Sequence, residues 1–508
     1  MPSRPSATQR ASSRPVTGRT RLARGFQHSS RLAQAITWYG WAYIIWIGVM
    51  SVVNFEAPVR GLGYVTAFTI ASIAFVVVGV VLMVLRYREG RQLADLPVPP
   101  EQQTAAVPSR GPWADEQRSR QLTGLSLRGV RPGRFVPRQF GRLSAVAWAC
   151  IAAVTVLFGY AMATTFFHRQ FIWVGFAHVV TDVPKAIIWI PLVNGLCAAW
   201  AGFVVMAVTP RLGRLRLLWW ISFALVPMTV LGWLRVTITQ GQFEPRVWTQ
   251  LGGAAVYPGA LMVAAGIALA SFLSHYRPRA SMYLFVAHVV LLLATGSRGG
   301  LLMLGAFVVL LVIRLNRTHT GAGERLRRLP VRVYVLGGLA VLVAVFTSPI
   351  LGRLDERSAG RLMTWRVGMG AWNDSPVHML FGVGSGSIWP WFAYESGWQA
   401  HPWRSRVTGP FGYTLYHSHS LYLEVLAELG IIGLLLLAAV VWPIATRWLR
   451  GASTANVVLT SAVAACLAGM AFDLYVFKNF GVSLVWWTGV FGALLGGVDQ
   501  RPGVLRSG

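Results

Sequence analysis

The stretch beginning at Tyr416, YHSHSLYLEVLAELGIIGLLLL, sets two histidines directly ahead of an apolar run that carries two carboxylates. An imidazole, with an ordinary pKa of about 6.5, suits a base that takes a proton from an attacking hydroxyl at neutral pH. Either His417 or His419 could serve, and the plain alternative is a helix-cap histidine hydrogen-bonded at a membrane surface. Glu424 and Glu428, four residues apart, share one face of a helix and enter apolar surroundings where an unpaired charge is costly. They either orient a catalytic shell or are protonated or paired groups that hold helices together. On a straight helix through the whole stretch, both would lie within about 20° of His417, and Glu428 about 180° from His419. Either the helix begins after His419 or the carboxylates do not touch it.

Ahead of these residues, positions 351–418 form a segment without a membrane span, too long for a mere connector and so read as a functional loop. It holds arginines (Arg353, Arg357, Arg361, Arg366, Arg404, Arg406), the histidines His378 and His401, and tryptophans that include Trp365, Trp372 and Trp389. Arginine forks fit phosphate or diphosphate oxygens, and indole faces fit sugar rings. The same composition also describes an interfacial aromatic belt with arginines meeting lipid head groups.

The elements that position these groups are membrane helices. The chain has 508 residues, 55% hydrophobic and only 12% charged, which excludes an ordinary soluble domain. Runs of about 20 apolar residues predict an all-α polytopic protein of about twelve spans, near 34–54, 62–85, 143–167, 186–208, 217–234, 253–275, 281–296, 299–313, 333–350, 419–446, 455–476 and 481–498. The runs at 281–296 and 299–313 are separate spans that meet at Arg298, because one helix over both would be about 50 Å long. The predicted organisation is a disordered basic arm over 1–33, helices 1–2 over 34–85, a Pro/Arg-rich linker over 86–142 and helices 3–9 over 143–350. The long external loop over 351–418 follows, then helices 10–12 over 419–498 and a tail over 499–508. Cys150, Cys197 and Cys466 fall inside apolar runs and read as small core residues.

Net charge is +29, and its distribution orients the spans. With the N-terminus inside, alternate segments contain 33 of the 46 Lys and Arg residues, so 86–142 and both termini are expected in the cytoplasm. The excess positive charge is therefore topological, and no nucleic-acid partner is expected. Membrane lipid is the expected contact of the basic arm and linker. Arg235, near the outer end of the fifth span, and Asp473, near that of the eleventh, are each read as functional or as structural.

Three motifs in order carry a family likeness. TGSRGGLL lies at the turn holding Arg298, RLMTW and NDSPVHMLFGVGSG lie in the loop, and His419 is followed by Glu428, Gly430 and Gly433 at nine, eleven and fourteen positions. Over roughly 290–435 the sequence resembles the O-antigen ligase-like membrane proteins, a family of O-antigen ligases and lipid-linked polysaccharide polymerases. Ser420 stands where that family usually has Asn, and the glycines of GVGSG are read as a tight turn.

The resemblance implies a metal-independent glycosyltransferase without cofactor in the bacterial cytoplasmic (inner) membrane, working on its external face. It would pass a glycan from a polyprenyl-diphosphate carrier to a hydroxyl of a glycan or glycolipid acceptor. His419 is then the candidate base, with Arg298 and Arg361 meeting charge on the departing diphosphate. Arg366, Arg235, Trp365, Asp374, His417, Glu424 and Glu428 are candidate substrate-binding residues. A transporter or flippase of envelope glycolipids would be expected to show repeated halves and polar groups near the bilayer midplane, and neither is evident. A non-enzymatic envelope scaffold is the other alternative. The orientation is tested by cysteine accessibility: Arg120→Cys is expected to stay unlabelled from outside intact cells, and labelling there would overturn the orientation and the external site with it.

Overall fold

In the computed structural model, the described residues are 17–94, 144–316, 355–388 and 407–496, apart from a few positions inside these ranges. Apolar runs become helices here because a backbone in lipid has to bond to itself. They are α1 (Thr17–Val52), α2 (Ala67–Ala94), α3 (Ala145–Phe167), α4 (Lys185–Val208), α5 (Arg211–Gln240), α6 (Pro258–Leu273), α7 (Pro278–Ala294) and α8 (Arg298–Asn316). After them come α9 (Asp355–Trp372), α10 (Pro376–Phe381), α11 (Leu421–Arg450), α12 (Thr454–Gly469) and α13 (Phe480–Leu494).

Seven of these, α1 to α5, α8 and α11, are long and apolar enough to cross a membrane. Four shorter apolar helices, α6, α7, α12 and α13, coincide with further expected spans. The ninth expected span, 333–350, lies outside the described residues, as does nearly all of the 86–142 linker and the 499–508 tail. Helix α1 begins at Thr17, so the arm expected to be disordered over 1–33 is helical in its second half.

Helix α13 is the hub, buried along its whole length and packed against α4, α6 and α12. A helix apolar on every side belongs in such a centre. By contrast, α2 keeps Ile73, Val77, Val81 and Val84 exposed, the pattern of a helix that faces lipid.

Outside the bundle, the all-α expectation needs a correction. Strands β1 (Phe171–Val174) and β2 (Val179–Asp182), between α3 and α4, join β3 (Val407–Gly409) and β4 (Gly412–Thr414), which precede α11. The four form one antiparallel sheet in the order β2-β1-β3-β4, with Trp173 opposite Thr408 and Val174 opposite Val407. The long loop is thus tied by backbone pairing to a second, shorter loop. Three- and four-residue strands carry too little alternation to be read from sequence.

The bundle has two ends. At one, arginines bond to helix carbonyls: Arg86 to Val208, Arg214 to Met206 (2.9 Å), Thr209 (3.2 Å) and Leu495, Arg314 to Trp448 and Gly451 (both 2.9 Å), and Arg447 to Ala493 (3.0 Å). The last carbonyls of a helix have no partner within it, and a guanidinium offers five donors and a charge of the sign that a C-terminus favours. The arginines counted above as topology signals therefore also close helix ends. At the other end lie the start of α8 with Arg298 and the start of α11 just after His419, joined by the amide of Leu421 on the Met470 carbonyl (2.9 Å) and by Met303 against Gly469.

Arg314→Ala leaves two carbonyls of α11 without their donor and is expected to destabilise the protein by about 2 kcal/mol or more, with Arg314→Lys recovering part of the loss. Thermal unfolding in detergent measures this, and an unchanged melting temperature in Arg314→Ala would refute the capping role.

Candidate functional site

Helix α11 is not continuous. Gly430 sits at φ 67° and ψ −165°, a break in the middle of an apolar run. A side chain there is barred twice, by the left-handed φ and by space, because a Cβ would lie 2.4 Å from the Leu380 carbonyl oxygen. Gly382, at φ 77°, faces it, and a Cβ on Gly382 would lie 2.2 Å from the Glu428 carbonyl oxygen. Two backbones therefore touch at a pair of glycines.

A break inside an apolar bundle strands carbonyls that would otherwise accept helical bonds. The GVGSG segment, 382–386, supplies the missing donors. The amide of Val383 donates to the Ala427 carbonyl (3.1 Å) and that of Gly384 to Glu428 (2.9 Å). The Tyr160 hydroxyl of α3 lies 3.3 Å from the Leu429 carbonyl and 3.0 Å from that of Phe381. What reads in sequence as a tight turn is thus a mortise for the broken helix.

The same segment closes over a carboxylate. Gly386 donates its amide to Glu428 Oε2 (2.7 Å) and Ile388 to Oε1 (3.1 Å), while the amide of Ser385 bonds to Thr164 Oγ1 (3.1 Å). Gly384 and Gly386, at φ 96° and 76°, let consecutive amides turn inward. Such a cradle of N–H groups suits acceptor oxygens, and here the oxygens come from the chain itself. Glu424, buried one turn earlier, shares a narrow pocket with Glu428, Ser385 and Gly386, walled by Pro191 of α4 and by Phe477.

His419 stands at the head of this assembly. Helix α11 starts at Leu421 with Ser420 as N-cap, its hydroxyl accepting from the Leu423 amide (3.4 Å). The first branch of the sequence alternative therefore holds, and helical angles between the histidines and the glutamates do not apply. Ser420 in the family's usual Asn position exchanges one good N-cap for another. His419 itself is half-buried at φ 55°, a left-handed conformation costing a non-glycine residue about 1 kcal/mol or more. Ser418 holds the turn, its hydroxyl donating to the Ser420 carbonyl (2.8 Å) and accepting from the Ser420 amide (3.2 Å).

The other candidates divide. Arg298 opens α8 behind Ser297, whose hydroxyl accepts from the Gly300 amide (3.2 Å), at the same end of the bundle as His419. Arg361 lies in α9, one turn before Trp365, whose ring is 6.4 Å from that of Phe472. Arg366 is exposed. Arg235 bonds to the Val52 carbonyl at the end of α1 and so closes a helix. Asp374 pairs with His378 at 3.2 Å. His417 lies outside the described residues, and Asp473 is buried near the end of α12.

Sequence reasoning passed over Arg246, which bonds to the Thr295 carbonyl (2.8 Å) at the turn that carries Arg298, and over Tyr160 and Thr164 on α3. A basic residue in a short loop is a faint signal, and two hydroxyls in an apolar run are none. No group of three or more His, Cys, Asp and Glu side chains gathers among the described residues.

Residues 282–438 match the family model of the O-antigen ligases. That stretch is similar to the O-antigen ligases. It spans α7 to the middle of α11 and so takes in the Arg298 turn, α9, the GVGSG segment, His419, both glutamates and the broken helix. Arg246 and Tyr160 reach that stretch from a loop and a helix that precede it. No curated protein matches the chain.

The glycine contact is testable by itself. Gly430→Ala and Gly382→Ala are each expected to prevent accumulation of folded protein, whereas Gly370→Ala, in α9 with nothing within 4 Å of a built Cβ, is expected to be tolerated. Size-exclusion profiles in detergent compare the three, and a monodisperse Gly430→Ala protein would refute the tight junction.

Proposed function

We propose that the chain is a membrane glycosyltransferase of the ligase or polymerase type, moving a glycan from a polyprenyl diphosphate to an acceptor hydroxyl. The observation that carries this reading is the presentation of His419. Within the stretch matching the O-antigen ligases, it is held outside the helix on a serine-braced left-handed turn, at the same end of the bundle as Arg298. A histidine serving only as a helix cap has no need of that conformation, because Ser420 already caps α11.

In the proposed reaction the acceptor oxygen forms a bond to the anomeric carbon as the bond from that carbon to the diphosphate oxygen breaks. The hydroxyl proton passes to an imidazole nitrogen of His419. Arg298 and Arg361 meet the charge that develops on the departing diphosphate, where planar forks outdo point charges. Transfer in this reading runs without a metal ion. Glu428 acts through the backbone it holds, and Glu424 lines the pocket toward the acceptor. The reaction takes place at the external face of a bacterial cytoplasmic membrane, with both chain termini on the cytoplasmic side.

His419→Ala is expected to abolish transfer while membrane insertion and donor binding persist, since a general base acts mainly in the transition state. Arg298→Lys and Arg361→Lys are expected to lose most activity despite unchanged charge. Turnover of a lipid-linked glycan by purified variants measures all three. Activity in His419→Ala alongside a dead His417→Ala would move the base by two residues. Inhibition of the parent protein by EDTA, reversed by magnesium or manganese, would overturn metal independence. Full activity of every variant would favour a scaffold.

A further inference from the structure

Helix α10 turns its apolar face outward. Val377, Leu380 and Phe381, spaced i, i+3 and i+4, share one face of this short helix and are 60%, 42% and 44% exposed. His378, on another face, pairs with Asp374 and is half-buried. A helix in an aqueous loop has the opposite sense, polar side out. The patch is not isolated. Ile431 and Leu435 of α11, just past the break, are exposed as well, and so is Val156 of α3, one turn before Tyr160.

Depth can be read from α3. That helix has 23 residues and is about 35 Å long, little more than a hydrocarbon thickness of about 30 Å. Its Thr164 hydroxyl accepts the Ser385 amide and its Tyr160 hydroxyl bonds to the Phe381 carbonyl (3.0 Å), three and seven residues before the helix ends at Phe167. The two contacts therefore lie about 4 Å and about 10 Å below that end, and helical side chains lean toward the N-terminus, which is deeper still. Helix α11 agrees, since Gly430, against the Leu380 carbonyl, comes nine residues after Leu421, or about 13 Å down.

The backbone here is completed as a segment away from water requires. All seven amides from Gly382 to Ile388 have a protein acceptor: Gly382 bonds to the His378 carbonyl (2.8 Å), Ser387 to that of Gly384 (3.2 Å), and the other five to α11 or α3. An apolar face at this depth, continuous with lipid-facing helices, takes lipid as its solvent. We infer that residues 376–388 form a re-entrant hook in the bilayer, with Val377, Leu380 and Phe381 binding acyl chains of the leaflet at the His419 end of the bundle. This contact with lipid is independent of the proposed reaction. It sets part of the 351–418 segment inside the membrane, where the sequence expectation had an external loop throughout.

The experiment uses the full chain in phosphatidylcholine–phosphatidylglycerol vesicles, with a nitroxide on Val377→Cys, on Phe381→Cys and, as the lipid-facing reference, on Leu435→Cys. The native cysteines lie in α3, α4 and α12, and the parent chain treated with the same label supplies the signal to subtract. Power-saturation EPR compares collisions with oxygen, which concentrates in lipid, and with a nickel chelate, which stays in water. Oxygen collisions are expected to exceed chelate collisions several-fold at all three positions. Should either loop variant fail to accumulate, Leu380→Cys on the same face replaces it. Prevailing chelate collisions at 377 and 381 would overturn the hook in favour of an aqueous loop. Few collisions with either reagent there would overturn it in favour of a face covered by protein.

Discussion

The rest of the candidate site depends on one constraint: a helix broken inside an apolar bundle has to recover its lost backbone bonds locally. The break at Gly430 exposes the carbonyls of Ala427, Glu428 and Leu429. Each unmet group costs on the order of several kcal/mol away from water, so the break exists only because Val383, Gly384 and Tyr160 answer it. The pair Gly382 and Gly430 permits the approach that makes those bonds short. Loop, broken helix and α3 thereby become one unit, and the site inherits its rigidity from backbone geometry more than from side-chain packing.

Glu428 illustrates the resulting division of labour. Its carboxylate receives two amides of the loop that repairs its own helix, so the residue most exposed to desolvation is also the one that completes the joint. His419, by contrast, sits ahead of the helix on a turn braced by Ser418, with Ser420 capping α11 behind it. The architecture thus separates a fixed carboxyl group deep in the joint from an imidazole displayed on a short turn above it. Two titratable groups nine residues apart in sequence are given opposite environments, which is the usual way a protein assigns them different work.

Much of this was legible before any coordinates. Apolar runs located the helices, since burial in lipid leaves few other conformations, while the start of the helix next to His419 was left open. The break at Gly430 was hidden because LGIIG inside such a run continues the helical pattern, and its cause lies some fifty residues upstream in GVGSG. Helical angles computed from His417 and His419 presumed a helix that begins only at Leu421. The arginines were read as a count that orients the chain, and their individual roles on the carbonyls of Val208, Trp448, Ala493 and Leu495 depend on which helix ends adjoin, a tertiary fact. The sheet escaped notice because VTG and GYT are too short to carry a period.

That sheet bears on how the chain is made. Strand β1 leaves the ribosome with α3, while its partner β3 is encoded 233 positions later, as Val174 opposite Val407 shows. At about 5–20 residues per second, β1 waits roughly 10–50 s with one edge unpaired while α4 to α8 and the loop behind them are synthesised. Helices α11 to α13, the hub among them, follow β3 in the chain, so β1 meets its partner strand before the centre of the bundle has been synthesised. The two loops are thus available to each other while α4 and α6 still wait for the helix they pack against.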